Sequence, residues 1–86
     1  MPDQWEVRIH RKVNDVVYAL PSELATAIRT AIAKLQHTPY PAECRLVGSF
    51  DDVFELFVKS HRIVYQVQEV ERRVKVARVH LRSEVE

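Results

Sequence analysis

The residues best suited to chemistry crowd the last third of the chain. His61-Arg62-Ile63-Val64-Tyr65 is followed by Arg73-Val74-Lys75-Val76-Ala77-Arg78-Val79-His80-Leu81-Arg82. Each run mixes apolar residues with cations, and the second holds a histidine between two arginines. A guanidinium fork can grip a phosphate by two hydrogen bonds. An imidazole titrates near neutrality and can give or take a proton there. Arg62 and His80 are therefore the candidate catalytic pair, for chemistry that holds a phosphate and moves a proton. Arg45, Lys59, Arg78 and Arg82 could extend the anion-binding surface. Glu43 lies in a loop where a carboxylate could move, and it is the candidate general base. The plainer alternative is a sheet whose outer face is merely charged. That reading is taken for Arg73 and Lys75. Glu55 and Glu84 could also supply a base, and for all three carboxylates the plainer alternative is a solvated charge. His61 is as well suited to shaping a turn as to chemistry, and His10 and His37 have no such context.

These side chains need a scaffold, and the chain is long enough for one. Its 86 residues, 47% hydrophobic and 29% charged, suit a single domain over residues 1–86. The formal net charge of +1 gives weak support to nucleic-acid binding. Residues 1–43 hold five basic and five acidic residues, and residues 44–86 hold eight and seven. A basic face must therefore come from folding rather than from charge blocks along the chain. Cys44 is the lone cysteine, so no internal disulfide forms, and no Cys/His spacing suits a metal. No apolar run approaches the ~18 residues of a membrane span, and the first residues do not read as a signal peptide. A cytoplasmic protein without membrane contact, metal or small-molecule cofactor is expected.

The scaffold is legible from hydrophobic period. Trp5 to His10 alternates, predicting a strand with Trp5, Val7 and Ile9 inward. Val13, Val16, Val17 and Leu20 have helical spacing, predicting a short helix between Arg11 and Leu20. Pro21 restarts a helix in its first turn. Leu24, Ala27, Ile28, Ala31, Ile32 and Leu35 form its apolar stripe. Thr38-Pro39-Tyr40-Pro41 ends it. The period then becomes two. Strands are predicted over 44–47, 53–58, 62–68 and 73–81, with a tight connection at Lys59-Ser60-His61 and a turn over Glu69 to Arg72. The fold class is thus α+β: an N-terminal strand, a helical hairpin, then an antiparallel β-meander in one sheet, with the helices on one face.

The last strand breaks its own period. Val74 and Val76 are even, whereas Val79 and Leu81 are odd. A β-bulge near Val76-Ala77 reconciles them. It also puts Arg78, His80 and Arg82 together on the opposite face, with Arg62 roughly opposite His80. Val53 and Phe57 fall on the face opposite Leu56, so that face is not cleanly polar, and a partner protein is one way to cover it.

With these residues in place, the chain resembles the RelE/ParE superfamily of bacterial type II toxins over nearly its whole length. The resemblance rests on Trp5-x-Val-x-Ile9, the Leu20-Pro21 junction, Ala31-Ile32-x-x-Leu35, Pro39-x-Pro41, Leu46-x-Gly48, His61-Arg62-Ile63-Val64-Tyr65 and the closing Val79-x-Leu-Arg82-Ser83-Glu84-Val85. It implies a RelE-like fold neutralised by a cognate antitoxin. On the RelE-like branch it implies cleavage of A-site mRNA on the ribosome by attack of the 2′-hydroxyl on the adjacent phosphate. Arg62 then matches the strand arginine at the scissile phosphate, and His80 stands where relatives carry an arginine or a histidine. The family's late tyrosine falls at Glu86, and Val53 and Glu55 lie near places where lysines are common. Two alternatives stay open: a ParE-like inhibitor of DNA gyrase without a nuclease site, and a catalytically inactive member. On the RelE-like reading, Arg62→Ala is expected to fold normally and lose toxicity.

Overall fold

The computed structural model describes residues 4–82. The carboxylates Glu84 and Glu86 considered above, with Ser83 and Val85, lie outside the described residues. The elements are β1 (Glu6–Ile9), α1 (Arg11–Tyr18), α2 (Ser22–Lys34), β2 (Arg45–Leu46), β3 (Val53–Val58), β4 (His61–Gln68) and β5 (Arg73–Leu81). The five strands form one sheet in the order β1-β5-β4-β3-β2. The meander from β2 to β5 is antiparallel, as expected. β1 runs parallel to β5, with Glu6 opposite Arg73 and Ile9 opposite Val76. A parallel pair needs a long crossover, and here the rest of the fold supplies it.

α1 starts where the His10 imidazole accepts the Lys12 N–H through Nδ1 at 3.1 Å, so a histidine without assigned chemistry caps a helix. α2 starts just after Pro21, which is extended (φ −54°, ψ 145°) and stands one place before the first turn. Glu23 in the first turn and Lys34 in the last complement the helix dipole. Val13, Val17, Ala25, Ile28, Ile32 and Leu35 share one core with Leu56, Ile63, Tyr65, Val67, Val74, Val76 and Val79 of the sheet. Full burial of such a side chain stabilises by about 1.5–3 kcal/mol.

The bulge falls where the period breaks. Val64 pairs with Arg78 and Tyr65 with Val76, which leaves Ala77 as the extra residue. Val74, Val76 and Val79 are consequently all buried, although their parity differs. Several boundaries differ from expectation. Ile9 is 38% exposed because β1 is an edge strand and only its first half lies against the core. α1 ends at Tyr18, too short for a four-residue stripe, so Val16 is exposed and Leu20 half-buried. On α2, Ala25 is fully buried while Leu24 and Ala27 flank it half-buried. β2 shrinks to two residues. His61 belongs to β4 rather than to the connection, because Lys59 adopts a positive φ of 53° and, with Ser60, closes a two-residue turn. Among the described residues, no helix is long and apolar enough to cross a membrane.

Candidate functional site

Period two puts alternate residues of β4 on opposite faces. His61, Ile63, Tyr65 and Val67 are buried toward the helices, whereas Arg62, Val64, Gln66 and Gln68 look the other way. The turn at Lys59-Ser60 sets Phe57 opposite Arg62 and Glu55 opposite Val64. The bulge sets Arg62 opposite His80 and Val64 opposite Arg78. β2 adds Arg45, opposite Glu55. Arg45, Glu55, Phe57, Arg62, Arg78 and His80 thus share the open face of the sheet.

Arg62 is the centre of this face. Its Nε donates to Glu55 Oε1 at 2.6 Å, and its Nη1 lies 3.3 Å from His80 Nε2. A guanidinium only donates, so the imidazole nitrogen facing it accepts and carries no proton in this arrangement. The Arg62 and Glu55 side chains are 13% and 10% exposed, which makes this a largely desolvated pair. Arg45 approaches the other carboxylate oxygen, Oε2, at 3.6 Å, with its own side chain 70% exposed. Phe57 is half-buried beside them, with the Arg82 guanidinium 4.2 Å and the Arg45 guanidinium 5.9 Å from its ring centroid. Cation–π contacts of this kind hold arginines on a surface without neutralising them.

The structure therefore brings Arg62, His80, Arg45 and Arg82 into one neighbourhood. Arg78 is exposed one pairing further along, and Lys59 is exposed in the turn whose Ser60 carbonyl accepts the Arg82 N–H at 2.9 Å. Glu43 is placed differently. It lines a groove between α2 and β3 with Thr30 and Lys34. The carboxylate held against Arg62 is Glu55, one of the three possible bases, and it is paired rather than solvated. Glu55 is 8% exposed and lies between two guanidiniums. The signal that finds it is the hairpin register: once Phe57 faces Arg62, Glu55 is the diagonal neighbour on the same face. Phe57, whose place on the face opposite Leu56 was expected, also belongs to this cluster. His61 is buried on the core side, with its Nδ1 3.0 Å from Ser60 Oγ, and it takes no part in the open face.

The burial of Arg62 changes one expectation. Removing its side chain leaves Glu55 desolvated, with only the exposed Arg45 as partner, so Arg62→Ala does not simply delete a functional group. Among the described residues, no group of three or more His, Cys, Asp or Glu side chains is arranged to hold a metal ion.

No protein-family model matches the chain, and no curated protein matches it. Solved structures do. A chain of the archaeal RelE–RelB complex from Pyrococcus horikoshii superposes with a TM-score of 0.84 at 18% identity, covering 95% of this chain and 99% of that one. The isolated RelE toxin of E. coli superposes with a TM-score of 0.79 at 18% identity, covering 95% and 88%. A chain of the RelB–RelE antitoxin–toxin complex from Methanococcus jannaschii gives 0.72 at 12% identity, covering 88% and 91%. Two helices against a five-stranded mixed sheet, in this order and over nearly the whole chain, are the RelE-like toxin fold.

Proposed function

We propose that this chain, as a single domain, is the toxin of a type II toxin–antitoxin pair and acts in the cytoplasm as a metal-independent endoribonuclease on ribosome-bound A-site mRNA. The observation that carries the reading is Arg62 on the open sheet face, half-buried, with a carboxylate on one side and an imidazole 3.3 Å away on the other. Cleavage of RNA by its own 2′-hydroxyl needs three things: charge stabilisation at the phosphorane, removal of the 2′-OH proton, and a proton for the departing 5′ oxygen. Arg62 supplies the first. A preorganised donor of this kind contributes on the order of ~3 kcal/mol, a hundredfold or more in rate. His80 takes part in proton transfer. Glu43, in its loop, remains the mobile carboxylate that a ribosome-bound substrate could draw in. Arg45, Lys59, Arg78 and Arg82 position the flanking phosphates.

The partners follow the same chemistry. The similar solved structures include toxin–antitoxin complexes. A cognate antitoxin with acidic residues facing Arg62, Arg78 and Arg82, and apolar ones over Phe57 and Val64, complements this face in charge and in hydropathy. Induced expression followed by mapping of mRNA ends tests the reading. Rapid, codon-positioned cuts are expected. DNA damage without mRNA cuts would instead indicate a gyrase inhibitor, and growth without either would indicate a module that only binds its antitoxin.

A further inference from the structure

The open face carries an anion of its own. Glu55 bridges Arg62, through Oε1 at 2.6 Å, and Arg45, through Oε2 at 3.6 Å. Its two oxygens sit against the two guanidiniums much as phosphate oxygens would. Of the Arg62 nitrogens, Nε is engaged by Glu55 and Nη1 by His80. Nη2 makes no hydrogen bond among the described residues. Glu55 reaches this position because β3 is fixed on both sides, with Arg45 opposite it on β2 and Val64 opposite it on β4. The carboxylate side chain is 10% exposed, so water does not screen it well.

We propose that Glu55 is a positioning residue that gates the site: it holds the Arg45 and Arg62 guanidiniums in place and competes with the substrate phosphate for them. The two effects have opposite signs for binding and for turnover. An incoming phosphodiester meets guanidiniums already partly neutralised, and it meets a like charge beside them, so the ground-state complex is weakened. The same carboxylate fixes the plane of Arg62 through Nε and leaves Nη2 for the reacting phosphate. Orientation of this kind is realised in the transition state, where misplacement by an ångström lowers rates by up to about a hundredfold. A toxin gated in this way has little affinity for free RNA and depends on the ribosome to present its substrate. This inference rests on the reading of the face as a phosphodiester site.

The test uses the full chain and two probes. The first is a short single-stranded RNA with 2′-O-methyl sugars, which cannot be cleaved, titrated by fluorescence anisotropy across a salt series. The second is cleavage of ribosome-bound mRNA. Glu55→Gln keeps the shape and removes the charge. It is expected to bind the oligonucleotide about tenfold more tightly at low salt, with the log–log salt slope steeper by about 0.7. It is also expected to turn over about tenfold more slowly once ribosome complexes are saturated. Loss of folding would lower both quantities, and a thermal melt of each variant identifies it. In the Glu55→Gln/Arg62→Gln background most of the binding gain should disappear, because the gain acts through the Arg62 charge. Glu55→Gln binding no more tightly than the parent at any salt, or turning over as fast, overturns the gate. Arg62→Lys that binds and cleaves like the parent overturns the phosphodiester reading instead.

Discussion

The two faces of the central strand β4 are built on different rules. Toward the helices, Ile63 and Val67 are buried by their own apolar character and are satisfied by any well-packed neighbour, and Tyr65 between them adds one hydrogen bond from its hydroxyl to the Pro39 carbonyl. Toward the open side, Arg62 is nearly as inaccessible, but only because Glu55 and His80 are its partners. An apolar core tolerates any neighbour of the right volume. A desolvated ion pair requires one particular neighbour at one particular distance. The core face therefore sets the fold, and the open face carries the paired charges.

Breaking the open face should cost as much stability as breaking the core. Arg62→Ala strands a desolvated carboxylate and is expected to destabilise by about 3–5 kcal/mol in urea unfolding. Replacing the pair together, Glu55→Leu with Arg62→Met, should recover most of that loss. A single Arg62→Ala protein as stable as the parent would show that the pair contributes nothing. On the core face, Ile63→Ala is expected to cost roughly 2–5 kcal/mol by the same measurement, through the cavity it opens.

How much of this was legible follows the same division. Period two and period 3.6 identified the strands and the helix pair, because core burial depends on each residue's own character. The bulge was legible because Val74, Val76 and Val79 cannot share a face without one, and it placed Arg62 opposite His80. Glu55 was not legible, for a geometric reason. With His61 assigned to the connection, the β3–β4 register slips by one residue, and the β3 partner of Arg62 changes. Only a two-residue turn, with Lys59 in the left-handed region, sets Phe57 opposite Arg62 and brings Glu55 to its diagonal. Nothing in local composition announces that a lysine will adopt φ 53°. Edge effects were equally silent: Ile9 alternates correctly and is exposed because β1 has a neighbour on one side alone.

Smaller effects sharpen the contrast. On the core side, burial, with Cys44 and Tyr40 beside it, pushes the Tyr65 phenol far above its ordinary range. Burial and the hydrogen bond to Glu69 push Tyr40 up to about 12. Both folded values lie above the unfolded one. The stability they contribute is therefore complete below about pH 10 and lost as pH rises beyond it. Alkaline titration followed at the tyrosinate absorbance should show the buried Tyr65 phenol ionising only together with unfolding, whereas Tyr40, 41% exposed, ionises in the folded protein near its raised value. Early ionisation of Tyr65 in a still-folded protein would contradict its burial. The smallest effect is expected at the sheet edge, where Glu6 is exposed between Arg8 at 2.7 Å and Arg73 at 3.1 Å. The hydrogen bond from Arg8, then that from Arg73, lowers the Glu6 pKa. Its contribution is present above the ordinary carboxylate range and lost as pH falls through the lowered value. Glu6→Gln should shift the melting temperature slightly at low salt and not at all in 1 M salt. A shift that survives 1 M salt would mean that the exposed pairs resemble the buried one.

The central claim is that Arg62, held by its neighbours, stabilises a phosphodiester in transit. It is tested most directly by Arg62→Lys, which keeps the charge beside Glu55 and removes the planar fork. The parent and the variant, each shown to be folded by thermal melting, are compared for cleavage of mRNA on purified ribosomes with a defined A-site codon. The parent is expected to leave a 2′,3′-cyclic phosphate and a 5′-hydroxyl without added metal, and the variant to cut at least about a hundredfold more slowly. A folded Arg62→Lys protein that cuts as fast as the parent, or a parent that leaves ribosome-bound mRNA intact, would contradict the claim.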